Sequence, residues 1–534
     1  MTQVTATGAR LRFQLPDAPA VGAPVAVALL ALVAGTAGLL AITGDPRLAV
    51  LPLAIIAMTY ALFTAPLRFL LIGYSFMAWM VSLVPRRDPN PLVTWWRSPM
   101  HPVYLFLSDN LSKTTGIDAL RLSGSEAIYL CILVLLLFRW LVRPSVPEHR
   151  TAGARILIAS LWVSFAAVVW LEVWGLARGG DFRQSLWQFR ALLWLPVLVT
   201  LFSNSLEGPR DFPLILYAMT VAACVKIGFG LFYLITIAWP HAYSPESITG
   251  HEDSILFVAV TLAWIAAWIH RPRLRTLPLT LLVVGWVLVG IVVNNRRIAF
   301  VELAVGLLLL YLFLGGPVKR FTSRALLLML PVLALYLAVG MSRPRGIFKP
   351  ASLIMSVSKQ SDGSSLTRDI ENYNLIQTLK PVKALGSGWG HEYKEAVKAD
   401  DISMYFAQYR YIAHNSILWL LGIGGIVGFT LLWMPVSIGV FLAARSYRFA
   451  THPRERTAAI TGLAILSTYV IHSWGDMGTQ GAFSGLVVAW GLATVARLAT
   501  HTGAWPSTTR LVASRPHHTA RYGRRERRVA SGTR

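Results

Sequence analysis

Short polar clusters rich in arginine and histidine stand at the junctions between long apolar runs. Asn294-Asn295-Arg296-Arg297 divides two such runs, and Ser364-Ser365-Leu366-Thr367-Arg368 lies in a polar stretch. His414-Asn415-Ser416 opens a further run, and Ala177-Arg178-Gly179-Gly180-Asp181-Phe182-Arg183 precedes one that contains Arg190. A guanidinium stays charged and offers phosphate oxygens a planar fork of donors. An imidazole is the side chain best suited to accept a proton near neutral pH. His251-Glu252-Asp253 and His472-Ser473-Trp474-Gly475-Asp476 add carboxylates and more imidazoles. Arginines gathered beside a histidine are what a diphosphate-linked substrate requires.

The elements that must position these groups are membrane helices. Of 534 residues 55% are apolar and only 14% charged, against about 25% charged in a soluble chain. The excess of 49 Lys and Arg over 25 Asp and Glu would suit nucleic acid in a soluble protein. In an apolar chain it marks cytoplasmic loops and anionic lipid, so membrane lipids are expected partners and nucleic acid is not. Cys131 and Cys224 lie in apolar runs and read as small buried hydrophobes. Apolar runs begin at 23–43, 48–64 and 67–84, continue through 127–142 and 156–174, and end at 482–496. They predict an all-α polytopic protein with about fourteen spans, several shorter than the ~20 residues that cross the hydrocarbon. A tail at 1–22, without the pattern of a cleaved signal, precedes them, and a basic tail at 500–534 follows.

Loop charge orients the spans. With the N-terminus inside, every short inside loop is basic, including Arg271, Arg273 and Arg275, and Arg445, Arg448, Arg454 and Arg456. Two long segments, 85–125 and 342–413, then fall outside, the second between the eleventh and twelfth spans. A polar segment that long is expected to be ordered and functional. It contains a helical pattern over 365–379, with Leu366, Ile370, Tyr373 and Leu375 on one side, and then the turn Gly386-Ser387-Gly388-Trp389-Gly390.

Several residues have plainer readings. Arg178 and Arg190 suit lipid headgroups, and Asn415 and Ser416 suit the start of a helix. Gly424-Gly425-Ile426-Val427-Gly428 has the small-residue spacing that lets two helices approach. Lys226 lies mid-span, where a charge needs a partner, and Glu302 is the pairing expected for it.

The same residues carry a family resemblance. Asn295-Arg296-Arg297-Ile298-Ala299-Phe300 with the apolar helix after it resembles the Ser-Arg-Gly motif of the O-antigen ligase and polymerase superfamily. Ser364–Arg368, Pro381 and the turn at 386–390 resemble its large periplasmic loop, and His414-Asn415-Ser416 with Gly425-Ile426-Val427-Gly428 resembles its His-Asn-Ser…Gly-x-x-Gly signature. Counting to the apolar helix puts Arg297 on the family arginine, and Ile423 stands where many relatives have a glutamate. The resemblance covers about 178–493. It implies a GT-C-like fold over 175–499, behind N-terminal helices at 23–174. It also implies an inverting glycosyltransferase without metal or cofactor, in the inner membrane and acting at its periplasmic face. The donor would be a glycan on undecaprenyl diphosphate; the acceptor would be a glycan, lipid or protein, within an envelope polysaccharide assembly complex. Arg297, Arg368, Arg296, Arg183 and Arg190 would hold the diphosphate and His414 would take the acceptor proton. Asn415, His251, Glu252 and Asp476 would stand on the acceptor side. The rival class is a polysaccharide or lipid transporter, which typically has internal repeats and helices broken at the midplane. No repeat is visible here, and the charges gather at one face.

Overall fold

A computed structural model describes residues 66–81, 101–112, 122–142, 153–342 and 363–506, apart from single positions within them, with short pieces at 33–41 and at 348 and 351. The chain forms two compact units. One joins Met1–Leu67 to Val134–Arg143, and the other comprises Arg68–Leu133 and Pro144–Arg534. The packing and the site described below lie in the second unit. Among its described residues the regular elements are all helices, joined by turns and irregular segments, with one isolated bridge between Asn110 and Ser123.

The helices are α1 (Leu67–Met80), α2 (His101–Ser108), α3 (Gly124–Val142), α4 (Arg155–Ala177) and α5 (Phe182–Ser205). They continue with α6 (Phe212–Tyr233), extended by a π turn and a 3-10 turn to His241, then α7 (Asp253–His270), α8 (Leu277–Asn294) and α9 (Arg297–Phe313). The remaining ones are α10 (Gly316–Ser342), α11 (Gly363–Leu379), α12 (Ser416–Phe449), α13 (Pro453–Gly475) and α14 (Ala482–His501). Among the described residues eight helices are long and apolar enough to cross a membrane: α4, α5, α6 with its extension, α7, α8 with the turn before it, α10, α12 and α14. The two expected spans at 23–43 and 48–64 fall largely outside the described residues. The expected runs from 127–142 to 482–496 coincide with helices.

Surface chemistry agrees with a bilayer. On α10, Leu326, Leu327, Leu328, Leu330 and Leu335 are all exposed, and Gly340 alone is buried in that helix. A helix apolar all round and largely uncovered is stable only in a hydrocarbon solvent. The protein is a helical membrane protein. The inner helices are α7, α13 and α14, whose small residues permit close approach: Gly462 faces Val495, and Gly491 faces Ile465. Cys131 is exposed and Cys224 half-buried, a correction to the expected burial of both; on a lipid-facing surface an apolar side chain need not be covered.

α12 is interrupted. Gly425 has φ 58° and ψ −167°, which breaks the ladder between two helical halves. The segment after α11 fills the break. The Ser387 and Gly388 N–H groups donate to the carbonyls of Gly422 and Ile423, while Ile426 and Val427 donate to Lys383 and Ala384. Gly386, Gly388 and Gly390 all have positive φ, and Gly388 lies so close to Gly175 of α4 that a Cβ would be 2.4 Å from its Cα. Trp389 then enters the core between α4 and α12, its indole N–H donating to the Val168 carbonyl at 3.0 Å. The Gly424–Gly428 spacing does bring Leu171 of α4 against Gly424 and Gly428, as helix approach predicts. The role of Gly425 is different, because it frees backbone groups for the segment after α11.

Candidate functional site

Helix ends build the site. Asn415 caps α12 by accepting the Leu418 N–H at 3.1 Å. That cap fixes His414 just before the helix. Its backbone N–H donates to Glu371 Oε2 at 3.1 Å, and its Nδ1 lies 3.3 and 3.2 Å from the two Glu371 carboxylate oxygens. Glu371 is buried on α11, one turn after Arg368. Burial disfavours a charged His414, but the hydrogen bond and charge of Glu371, with the charge of Asp476, outweigh burial and the opposing charge of Arg368. The His414 pKa is therefore raised above the ordinary imidazole value.

Asp476 ends α13 and joins three elements. Its Oδ2 is 3.0 Å from His251 Nδ1, its Oδ1 accepts the Met477 N–H at 2.8 Å, and its carbonyl accepts the Ser416 hydroxyl at 3.2 Å. Burial opposes the carboxylate charge, yet the hydrogen bond and charge of His251 and the charge of His472 hold its pKa well below the usual range. A carboxylate depressed in this way stabilises the fold above the unfolded-state pKa and loses that contribution as the pH falls.

Arg368, His414, Asp476 and His251 thus come together. Arg297, the first residue of α9, stands at the same end of the bundle. The next residue, Ile298, packs over Gly475, so closely that a Cβ there would lie 2.4 Å from Ile298 Cδ1. Of the other candidates, all but Arg183 are engaged elsewhere. Arg296 donates to Ser247 Oγ at 3.0 Å. The Arg190 guanidinium pairs with Glu126 at 3.0 Å and lies 3.4 Å from Asn110 Oδ1. Arg183 is exposed on the first turn of α5. Arg178 donates to the Gly386 carbonyl at 3.0 Å and so anchors the glycine turn. Glu252 accepts the N–H groups of Phe483 and Ser484 at 3.0 and 3.1 Å, capping α14 from a neighbouring helix.

Sequence reasoning missed Glu371 and Gln188. Glu371 lay in a helix whose Leu366–Ile370–Tyr373–Leu375 side was expected to pack. Of those four only Leu375 is buried; Leu366 and Tyr373 are exposed, while Glu371 and Asn374 face inward. Asn374 exchanges hydrogen bonds of 2.8 and 2.9 Å with the backbone of Val397. That polar demand turns the helix. The one available signal was the three-residue spacing between Arg368 and Glu371, which sets both on one face. Gln188 is buried in α5, donates to the carbonyls of His391 and Tyr411 at 3.2 and 2.6 Å, and accepts the Gly390 N–H. An amide among the polar residues that precede an apolar run gives no warning of such a partner.

Lys226 pairs with Asp253, not with Glu302, and Glu302 Oε1 is instead 2.8 Å from His472 Nδ1. Asp253 opens the helix beside α6, so it reaches the Lys226 ammonium. Both members of each pair are buried. Removing one partner from such a pair strands a charge. Lys226→Met should cost about 3–5 kcal/mol, and adding Asp253→Asn should restore most of the loss, as read by thermal unfolding in detergent. Equal stability of Lys226→Met and the parent protein would contradict the pairing. No protein-family model matches this chain, and no curated protein is significantly similar to it.

Proposed function

We propose that this chain is a membrane glycosyltransferase with about fourteen spans and a GT-C-like arrangement, acting at the outer face of the inner membrane. It would move a glycan from undecaprenyl diphosphate to an acceptor hydroxyl. One observation carries the reading: an imidazole aligned by a buried carboxylate, His414 on Glu371, within the field of the Arg368 charge. Nδ1 is occupied by Glu371, so Nε2 is the atom that would accept the proton. The acceptor oxygen attacks the anomeric carbon, its proton passes to His414 Nε2, and the bond from that carbon to the diphosphate oxygen breaks. The bonding pair leaves with the diphosphate. Arg368 and Arg297 would stabilise the charge that grows there.

The break in α12 favours a second reading, a transporter, because discontinuous helices free carbonyls for cargo. Against it, the freed groups at Gly422, Ile423, Ile426 and Val427 are taken by residues 383–388. A liposome assay separates the two. Full-length protein with a diphosphate-linked glycan donor and a labelled acceptor should form a glycosidic product. Arg297→Ala and Arg368→Ala should each lower that rate by about a hundredfold or more. Translocation of the donor without product would overturn the transferase reading. In a deletion strain, single repeat units on the carrier would mean a polymerase, and finished polymer on the carrier a ligase.

A further inference from the structure

A cavity lies at the opposite end of the same bundle. It has a volume of about 300 Å³ and is lined by α6, α7, α13 and α14, with Thr280 of α8. Its walls include Tyr217, Trp264, Trp268 and Trp490, and Arg271, Arg273 and Arg454 stand at its rim. All three arginines are exposed. This is the end where His270 meets Thr457 and Tyr447, and where Tyr447 reaches the end of α9. It is therefore remote from His414, which precedes the other end of α12.

Two features specify an occupant. Along α13 the lining runs from Arg454 to Ile465, a depth of about 16 Å at 1.5 Å per residue. That is close to half of the ~30 Å hydrocarbon core, the thickness of one leaflet. The arginines sit at one extremity and the apolar walls extend from them, which is the polarity of a lipid.

We propose that this cavity binds one anionic glycerophospholipid, with its phosphate on Arg271, Arg273 and Arg454 and an acyl chain among the tryptophans. Charge complementarity selects an anionic headgroup, since each arginine near an anionic headgroup contributes about fivefold to affinity. The site is independent of the transfer reaction.

The test uses full-length protein extracted from nanodiscs that contain equal amounts of palmitoyl-oleoyl phosphatidylglycerol and phosphatidylcholine. Native mass spectrometry counts the lipids that stay bound. The expected result is one phosphatidylglycerol retained at least about tenfold over phosphatidylcholine. The triple variant Arg271→Gln, Arg273→Gln, Arg454→Gln should reduce its retention by about a hundredfold. Thr461→Trp fills the cavity without touching charge and should also expel the lipid; it decides the matter if the triple variant fails to fold. Arg320→Gln with Arg324→Gln, at the same end but outside the cavity, should leave retention unchanged. Equal retention of the two lipids, retention in Thr461→Trp, or an equal loss in the Arg320/Arg324 variant would overturn the proposal.

Discussion

His414→Ala is expected to lower glycan transfer by about a hundredfold to ten-thousandfold while leaving the fold intact. The side chain is the proposed proton acceptor, and its neighbours do not depend on it for their own hydrogen bonds except Glu371. Glu371→Gln is the more informative companion. It keeps the volume but removes the hydrogen bond to, and the charge beside, an imidazole whose pKa they raise. A base must be unprotonated to act, so a raised pKa sets the acid limb of the pH profile at higher pH. Without the carboxylate, burial and Arg368 lower the pKa, and that limb should move to lower pH in Glu371→Gln. The linked stability has the matching sign. The His414–Glu371 pair stabilises the fold below the unfolded-state histidine value, and that contribution disappears as pH rises through the folded one. A merely structural Glu371 would reduce activity without moving the limb.

Gly425→Ala should be among the most damaging single methyl groups at the described glycines. Its φ of 58° with ψ of −167° is a conformation that only glycine adopts without strain, at about 1–3 kcal/mol for any other residue. The new Cβ would also lie 2.3 Å from the Ala384 carbonyl oxygen. The segment 383–388 would have to withdraw, leaving backbone groups on both sides unpaired at about 1–3 kcal/mol each. A fall in melting midpoint of more than about 5 °C, or failure to reach the membrane folded, is expected. Gly422→Ala is the control, because a Cβ there meets nothing within 4 Å. If both variants melted together, the break in α12 would not be essential.

The parts of this fold that could be read from sequence are those the bilayer dictates. Long apolar runs have one solution in lipid, so the helices from α3 onward begin and end within a few residues of the apolar runs, except where polar ends extend them. α5 starts at Phe182 and not near Phe189, because Asp181 accepts the N–H groups of Arg183 and Gln184 and nucleates the helix early. Arg368, His414, Asp476 and His251 were legible because polar groups at the ends of spans are few. Their meeting was not, since it depends on how α7, α11, α12 and α13 converge. Glu371 was invisible because a buried carboxylate and a solvated one look alike in an amphipathic pattern. Lys226 announced that it needed an acid, but which one depends on the packing of α6 against α7. The break at Gly425 was hidden because its partner, the turn at 386–390, is distant in sequence and glycine-rich segments also serve simple helix contact.

The four backbone bonds between 383–388 and the two halves of α12 have a mechanical consequence. Swinging that stretch outward would expose amides and carbonyls at a depth where no water replaces the lost partners, at several kcal/mol apiece. The segment is thus riveted to the span and acts as a rigid wall. It does not behave as a hinged cover, so the lipid-linked donor proposed above would approach His414 sideways, along the bilayer plane, past elements other than this one.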